Sequence, residues 1–270
     1  MTGQRETDIL ELIRGCEMRF QREFALWRET AWGVLYYAPY NPQSHDSNHA
    51  VILNTGADVE SALDEITAFY RGLGISPRVY SSLREGEWER LVPALRRRGF
   101  QFMPDDAELI CMLYDEHTYD PPAATGLEIR RVREVDDNLL RLIHSEERRE
   151  WTEGVIRRQV QNDDVHVLVG YAGGEAVTIA LLCETDVLAR VDEVQTAPTH
   201  RCRGYNLAVM RHLVRLHREL SAKPLYLFSD NPAAVRNYQR CGFRILGEKW
   251  QGRSAFLPDE SGDKTKSGAA

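Results

Sequence analysis

A basic turn between a strand and a helix is the first feature of the sequence that could do chemistry. The strand ends at Thr196–Pro198, because proline has no N–H group to continue a sheet. The turn Arg201–Asn206 follows, and a helical pattern begins directly after it. Gly204 lets the backbone approach a ligand closely, while Arg201 and Arg203 add positive charge at a helix N-terminus. This combination suits a diphosphate, although most basic turns are only solvated connections.

A second motif follows the next strand. Residues 231–243 read Asn-Pro-Ala-Ala-Val-Arg-Asn-Tyr-Gln-Arg-Cys-Gly-Phe. Asn231 is a natural N-cap, Pro232 suits the first helical position and Gly242 suits the end of a helix. Good capping explains these three residues, but it does not explain why they occur together with the basic turn.

Together, the two motifs resemble those of the GNAT superfamily of acyl-CoA-dependent N-acyltransferases. The family has a (Gln/Arg)-x-x-Gly-x-(Gly/Ala) turn, matched by Arg201, Gly204 and, imperfectly, Asn206. It also has an Asn-x-x-Ala-x-x-x-Tyr-x-x-x-Gly-Phe helix, and here the matching residues are Asn231, Ala234, Tyr238, Gly242 and Phe243. The resemblance covers about residues 127–257.

The resemblance implies acetyl-CoA as the co-substrate and gives roles to individual residues. Backbone groups of Val194–Thr196 would bind the pantetheine arm and the acyl carbonyl, and N–H groups of Cys202–Leu207 would hold the pyrophosphate. Asn231 would contact pantetheine, and Tyr238 would protonate the departing CoA thiolate, unless it is simply a core tyrosine. The implied acetyl-CoA site consists of Val194, Gln195, Thr196, Arg201, Cys202, Arg203, Gly204, Tyr205, Asn206, Leu207 and Asn231.

One residue of the basic turn departs from the family pattern. Asn206 stands where the family has Gly or Ala. Its larger side chain either narrows the phosphate site or adds a donor to it. Because asparagine tolerates unusual φ values, we expect acetyl-CoA still to bind. The larger side chain would alter the affinity.

The general base has two candidates. An acceptor amine must lose a proton before it attacks a thioester. In a regular strand, Asp192 and Thr196 share one face, whereas Glu193 lies on the other. Family bases lie four or six residues before the position of Thr196, which points to Asp192 and leaves Arg190 at the other position. Glu193 is the alternative if a β-bulge shifts the register, and either carboxylate could instead orient a cationic substrate or act through water.

Composition argues against several other functions. A net charge of −7 disfavours nucleic acid or an anionic membrane as the main partner. No apolar run approaches the roughly 18 residues of a membrane span, and residues 1–30 lack a secretory core, so we expect a cytoplasmic protein. The five cysteines include no CxxC pair and predict reduced thiols. His45 and His49 lie four apart in a polar loop, so no metal site is predicted.

A proline-rich segment indicates two domains in the 270 residues. Residues 121–126 predict a linker, which divides an N-terminal domain, 1–120, from a catalytic GNAT domain, 127–258. The polar tail, 259–270, predicts disorder. A helix followed by Gly-Phe and a strand occurs at Gly99-Phe100 and again at Gly242-Phe243, which indicates that the first domain is a degenerate GNAT-like copy.

The predicted elements give an α+β fold. The first part predicts helices over 7–28, 58–73 and 87–98, strands over 50–53 and 77–81, and a hairpin from Gly99-Phe100 through 109–114. The second part predicts strands over 127–132, 165–171, 175–184, 187–197, 225–229 and 243–250, and helices over 135–145, 152–161, 205–221 and 232–240. Antiparallel strands followed by β-α-β units predict a mixed central sheet flanked by helices, the GNAT fold, preceded by a smaller degenerate GNAT-like α/β domain.

We therefore expect an N-acyltransferase that moves an acetyl group from acetyl-CoA to an amine of a small molecule or peptide, acting as a monomer or homodimer. The N-terminal domain would shape the acceptor site without taking part in catalysis. One alternative donor is aminoacyl-tRNA, which some tandem GNAT-like relatives use, although the acidic net charge counts against it. Another alternative is a non-catalytic CoA-binding module, and the intact Tyr238 counts against that.

Overall fold

The described residues of the chain form two compact units. The computed structural model describes residues 3–56, 58–104, 108–115, 126–146 and 150–258. The first unit combines Met1–Phe24 with Ala107–Gln251, and the second combines Ala25–Asp106 with Gly252–Ala270. The predicted tail lies outside the described residues, and so does the predicted linker apart from Gly126.

The described residues form seven α-helices and thirteen strands. The helices are α1 (Gly3–Phe20), α2 (Val59–Gly72), α3 (Glu87–Arg97), α4 (Asp137–Ile143), α5 (Glu150–Gln159), α6 (Tyr205–Leu220) and α7 (Pro232–Arg240). The strands are β1 (Leu26–Glu29), β2 (Gly33–Tyr37), β3 (His49–Ile52), β4 (Arg78–Tyr80), β5 (Gln101–Phe102), β6 (Glu108–Tyr114), β7 (Leu127–Val132), β8 (Val165–Ala172), β9 (Glu175–Glu184), β10 (Ala189–Thr196), β11 (Leu225–Ser229), β12 (Phe243–Gln251) and β13 (Ser254–Phe256). None of the helices in the described ranges is long and apolar enough to cross a membrane.

The first unit is built on a seven-stranded sheet in the order β12-β6-β11-β10-β9-β8-β7. Strands β10 and β11 are parallel, and every other neighbouring pair in this sheet is antiparallel. Helices α6 and α7 bury their apolar sides on one face, where Val209, Leu213 and Tyr238 join strand residues such as Leu182 and Val191 in one hydrophobic cluster. The mixed sheet flanked by helices confirms the predicted fold class.

Local sequence signals correctly predicted the elements from residue 127 to residue 251. Both glycines of the Gly173-Gly174 turn have positive φ values, 60° and 85°, as a two-residue hairpin requires. Asn231 caps α7 with its side chain, Pro232 begins the helix, and Gly242 follows its end with a φ of 102°. The order of elements in this part of the chain is confirmed.

Two expectations for the first 120 residues were wrong, and one strand was missed. The predicted helix 7–28 ends at Phe20, and residues 26–29 form the edge strand β1. The strand β2 was not predicted. The predicted hairpin does not form, because β5 pairs with β13 whereas β6 pairs with β11 and β12 of the other sheet.

The second unit has a six-stranded sheet in the order β1-β2-β3-β4-β13-β5. Its hydrophobic cluster joins strand residues to the apolar sides of α2 and α3. Asp58 caps helix α2, because its side chain accepts hydrogen bonds from the N–H groups of Glu60 and Ser61. After α3, Gly99 has a φ of 78°, which repeats the helix, Gly-Phe and strand arrangement that follows α7.

The two units exchange segments across the predicted boundaries. Helix α1 and strand β6 lie in the first unit, whereas the predicted boundary puts them in the N-terminal domain 1–120. Strand β13 lies in the second unit, although it was placed in the domain 127–258. The reason is strand pairing: β6 lies between β11 and β12, and β13 lies between β4 and β5.

Candidate functional site

The parallel strands β10 and β11 separate soon after they begin. They pair only where Ala189 faces Leu225 and Arg190 faces Tyr226, although both strands continue beyond these positions. A cavity of about 1080 Å³ lies in the first unit and is lined by residues of both diverging strands. Its walls include residues 190–196 of β10, 227–229 of β11, the turn before α6, and the side of α7 that carries Tyr238. Separation of the strands leaves edge backbone groups of β10 available for a ligand.

A β-bulge interrupts β10 at the wall of this cavity. The register against β9 shifts between Asp192 and Gln195, and Glu193 has a φ of 44°. As a result, Val194 packs against the same hydrophobic cluster as Val191. The regular alternation that would have put Asp192 and Thr196 on one face is therefore wrong. Glu193 was predicted as the alternative base if a bulge were present, and the bulge is present. Asp192 and Glu193 both line the cavity.

The basic turn leaves the N-terminus of α6 without a side-chain cap. Gly204, with a φ of 79°, is the N-cap residue and offers no side-chain hydrogen bond. Cys202 also has a positive φ, 61°, so the turn alternates its backbone conformation before the helix begins. Helix N-termini and turns of this kind present N–H groups to anions. The arrangement can hold a phosphate group at the mouth of the cavity.

The charged and polar residues of this turn differ in whether they line the cavity. Arg201 lines the cavity, donates from Nε to the Thr196 carbonyl at 3.3 Å, and forms an ion pair with Glu146. Asn206 also lines the cavity, and its side-chain oxygen is buried with no hydrogen-bond partner among the described residues. Arg203 is exposed and does not line the cavity. Of the residues implied for the acetyl-CoA site, the structure leaves Arg203 apart and brings the others to the cavity.

Asn231 stands at the other side of the cavity, where α7 begins. Its Oδ1 accepts hydrogen bonds from the N–H groups of Ala233, at 2.9 Å, and Ala234, at 3.4 Å. The side-chain oxygen is therefore used in capping the helix. A ligand in the cavity would meet the amide nitrogen of Asn231 or its backbone, which limits the contact expected from the resemblance.

Tyr238 lies on α7 with 5% of its surface exposed, and it lines the cavity. Burial, with the neighbouring Cys241 as a smaller cause, raises the pKa of Tyr238 to about 12. Within the part of the chain that the structure describes, no group hydrogen-bonds to its hydroxyl. The phenol is therefore protonated at neutral pH, and its hydroxyl is available to a ligand.

Asp192 belongs to a cluster of charged side chains at the cavity wall. Arg190 Nη1 lies 2.5 Å from Asp192 Oδ1, and Arg190 Nε lies 2.8 Å from Glu17 Oε1. Gln159 of α5 donates a long hydrogen bond of 3.5 Å to Asp192 Oδ2. Burial disfavours the charged guanidinium, but the two carboxylates prevail and hold the pKa of Arg190 well above its ordinary value. Glu17 and Gln159 were missed by the sequence analysis, because no local pattern connects them to β10.

The remaining cavity wall comes from α4 and α5. Ile143, Trp151 and Thr152 line it, while residues 147–149 are outside the described ranges. Gln195 fastens the end of α4 to β10 by donating to the Leu142 carbonyl at 3.0 Å. Across the described ranges, no three His, Cys, Asp or Glu side chains gather in a group able to hold a metal ion.

Comparison with protein families identifies the part of the chain that carries this cavity. Residues 136–243 match the model of the Acetyltransferase (GNAT) family. The chain carries a GNAT acetyltransferase domain. The match runs from the start of α4 to Phe243 and contains both the basic turn and the α7 motif. A search of curated proteins finds no match for the chain.

Solved structures share the fold of the GNAT domain and extend beyond it. A GCN5-related N-acetyltransferase from Kribbella flavida is 16% identical, with a TM-score of 0.65 over 92% of this chain and 95% of that one. A tandem GNAT protein from the clavulanic acid biosynthesis pathway is 10% identical, with a TM-score of 0.55 over 78% of this chain and 76% of that one. Such identities establish the fold and leave the substrates open. They agree with the predicted tandem arrangement.

Parts of the first unit that contact the cavity wall lie outside the residues that match the GNAT family model. Helix α1 and strand β6 lie before residue 136, yet both belong to the first unit. Glu17 of α1 contacts Arg190, which lines the cavity. The residues that complete the GNAT domain are therefore not confined to the segment that carries the family motifs.

Proposed function

We propose that the protein transfers an acetyl group from acetyl-CoA directly to a primary amine. The observation that carries the proposal is the cavity between β10 and β11. It brings the uncapped N-terminus of α6, the protonated Tyr238 and the carboxylates of the β10 bulge to one space. These are a phosphate-binding end, a hydrogen-bond donor and a proton acceptor, which acyl transfer from a CoA thioester requires.

The donor side of the proposed site follows from backbone geometry. N–H groups of Cys202–Leu207 would hold the pyrophosphate, with Arg201 nearby. On its β11 side, β10 has no paired strand from Val194 to Thr196, and backbone groups on that side can hydrogen-bond the pantetheine arm. The volume of about 1080 Å³ is at the upper end of ordinary ligand clefts, which suits a long thioester together with an acceptor.

The proposed chemistry uses two side chains. Asp192 accepts a proton from the acceptor ammonium, directly or through water, and Glu193 is the alternative acceptor. The free amine forms a bond to the thioester carbonyl carbon, the carbon–sulfur bond then breaks, and the electron pair stays on sulfur. Tyr238 donates a hydrogen bond to that sulfur as it becomes negatively charged. The nitrogen, which carries an extra proton after the attack, releases that proton to solvent, and the thiolate takes up a proton from solvent, so that the products are the amide and the CoA thiol.

A screen of amines tests the proposal. The full chain would be incubated with acetyl-CoA and a panel comprising spermidine, an aminoglycoside, a lysine-containing peptide and an amino acid ester. Free thiol is measured over time, and acetyl-CoA binding is measured by calorimetry. Thiol release that depends on one of the amines supports the proposal. Binding without turnover would indicate a non-catalytic CoA-binding module, and no binding would indicate another donor, such as aminoacyl-tRNA.

A matched pair of glycine variants tests the phosphate turn. Gly204→Ala puts a side chain at a positive φ beside the cavity, whereas Gly173→Ala does so in the β8–β9 hairpin, away from it. Both replacements strain the backbone by about 1 kcal/mol. We expect only Gly204→Ala to weaken acetyl-CoA binding, by about tenfold, because it displaces the N–H groups from the pyrophosphate.

A further inference from the structure

Glu17 of α1 contacts the sheet of the first unit at the beginning of the split between β10 and β11. Its Oε1 accepts a hydrogen bond from Arg190 Nε at 2.8 Å and another from the Tyr226 hydroxyl at 2.8 Å. Arg190 and Tyr226 are the last residues that pair the two strands before they diverge. The carboxylate of Glu17 therefore joins both strands at the point where the cavity opens.

The Arg190 side chain is held on several sides. Glu17 accepts from its Nε, and the Phe20 ring centroid lies 3.8 Å from its guanidinium carbon. Asp192 Oδ1 lies 2.5 Å from its Nη1 and forms an ion pair with it, although the angle there is not that of a hydrogen bond. Only 13% of the Glu17 side chain and 14% of the Arg190 side chain are exposed. A planar guanidinium held at Nε and by a ring has little freedom to rotate, so the position of Nη1 is fixed as well.

The charges in this cluster do not cancel. One guanidinium lies between two carboxylates, so Glu17, Arg190 and Asp192 together carry one net negative charge. Without Glu17, Arg190 and Asp192 would form an ion pair with no net charge. Such a pair would attract an ammonium acceptor less than a cluster with an excess negative charge does. Glu17 supplies that second carboxylate beside Arg190.

We propose that Glu17 is a positioning residue for acyl transfer, holding the Asp192 carboxylate at the cavity wall through Arg190. This rests on the proposed function, in which Asp192 accepts the proton of the acceptor amine. Glu17 itself does not touch the substrate. The helix that carries it precedes the GNAT family match, so the proposed proton acceptor depends on a segment of the first unit that lies outside the residues matching the family model.

A double-mutant cycle tests the proposal, using the amine that gives the fastest thiol release in the panel. Glu17→Gln keeps the size and an oxygen acceptor but removes the charge, and we expect it to lower kcat about tenfold while the KM for acetyl-CoA stays within about twofold. In the Asp192→Asn background, Glu17→Gln should change kcat by less than about twofold, because the group through which it acts is already lost.

Two further variants control for stability and charge. Glu17→Leu removes the hydrogen bonds as well and should lower kcat more than Glu17→Gln, unless it fails to fold, in which case the glutamine variant carries the test. Glu11→Gln removes a charge from an exposed position of α1, where Glu11 pairs with Arg14, and should leave kcat unchanged.

Each outcome separates the inference from the proposed function. Non-additive effects on kcat in the cycle support the inference. Equal effects of Glu17→Gln in the wild-type and Asp192→Asn backgrounds, or no effect in either, overturn it while transfer by the wild-type chain still upholds the proposed function. If the wild-type chain releases no thiol with any amine of the panel, the proposed function fails first and the inference fails with it.

Discussion

At the scale of single residues, the burial of Tyr238 determines whether its hydroxyl transfers a proton or only donates a hydrogen bond. Its phenol has a pKa of about 12, because it is buried. A thiol ordinarily titrates near 8.5, so the phenol is the weaker acid, and complete proton transfer from it to a thiolate is uphill. A hydrogen bond to the developing negative charge has no such penalty. Tyr238 therefore suits stabilisation of the leaving sulfur, with the final proton coming from any available acid.

The Tyr238→Phe variant measures this stabilisation. We expect kcat to fall about 100-fold, because one donor to the developing charge is lost in a buried site. Acetyl-CoA binding should change little, since the hydrogen bond strengthens only as the thiolate forms. Steady-state kinetics and calorimetry provide the two values. The wild-type chain should also show no loss of activity from Tyr238 ionisation below about pH 10, because the phenol stays protonated there.

Tyr171→Phe is the matched control, because it removes a hydroxyl from β8, away from the cavity. It should leave kcat unchanged. A Tyr238→Phe variant with wild-type kcat would show that Tyr238 is only a core residue, the alternative that the sequence itself leaves open.

The residues of the cavity could be predicted from the sequence where their signal is local. The basic turn and the α7 motif are short, continuous patterns, and nearly all of their implied ligand-binding residues line the cavity. Glu17 and Gln159 could not be found in this way, because they reach β10 from distant parts of the chain. For Asn231 the sequence indicated both an N-cap and a pantetheine contact, but it could not show that capping occupies the side-chain oxygen.

At the scale of elements, the β10 bulge separates the backbone role of Glu193 from the role of its carboxylate. Its φ of 44° is unfavourable for most side chains and most unfavourable for a β-branched one. We expect Glu193→Val to lower the free energy of unfolding by about 1–2 kcal/mol, and Glu193→Gly to leave it within about 0.5 kcal/mol of the wild-type value. Urea denaturation measures both.

The glycine variant also decides between the two candidate bases, because it keeps the bulge and removes the carboxylate. If Asp192 accepts the proton, Glu193→Gly should keep kcat within about threefold of the wild-type value. A loss of about 100-fold in that stable variant would instead assign the base to Glu193.

A buried ion cluster connects the end of β9 to the end of α6. His217 Nδ1 lies 3.1 Å from Glu184 Oε1, Ser221 donates to Glu184 Oε2 at 3.2 Å, and Lys223 Nζ lies 3.5 Å from the same oxygen. Burial by itself would raise the pKa of Glu184, but the hydrogen bond from His217 and the nearby positive charges lower it below its ordinary value. The carboxylate therefore stabilises the folded chain in its charged form.

The pH dependence of the Glu184→Gln variant follows from that sign. The folded pKa lies below the unfolded value of about 4.3, so the stabilisation is complete above that pH and is lost as the pH falls through the folded value. We expect Glu184→Gln to lower the free energy of unfolding by about 2 kcal/mol at pH 7, and the difference to shrink below about pH 4. Glu219→Gln, at an exposed position of α6, is the control. A difference that stays constant between these pH values would contradict the assignment.

At the scale of the whole molecule, the sequence predicted which elements form but not which sheet each one joins. From residue 127 onward, alternation, turn glycines and helix caps are local, and the elements came out in the right order. The membership of β6 and β13 depends on pairing with strands far along the chain. Nothing in the seven residues of β6 indicates that they lie between β11 and β12, since an apolar strand would satisfy several positions in either sheet.

Strand pairing predicts that the GNAT domain cannot be isolated at the boundary that the sequence suggests. A fragment of residues 127–258 lacks β6, which lies between β11 and β12, and it also lacks α1 with Glu17. Both neighbouring strands would lose their hydrogen-bond partners on one side, and each unsatisfied buried backbone group costs about 1–3 kcal/mol. We expect this fragment to show no cooperative thermal transition by circular dichroism.

Co-expression supplies the matched test of that expectation. Residues 1–126, produced together with residues 127–270, restore β6 and α1 without a continuous chain, and the assembled pair should recover a cooperative transition. A full chain shortened only to Pro258 keeps every strand of both sheets that the structure describes, and its melting temperature is the reference for further shortening. A chain ending at Gln251 loses β13, which lies between β4 and β5, and should melt at lower temperature. Cooperative melting of the isolated 127–258 fragment near the wild-type temperature would mean that β6 is dispensable to the sheet.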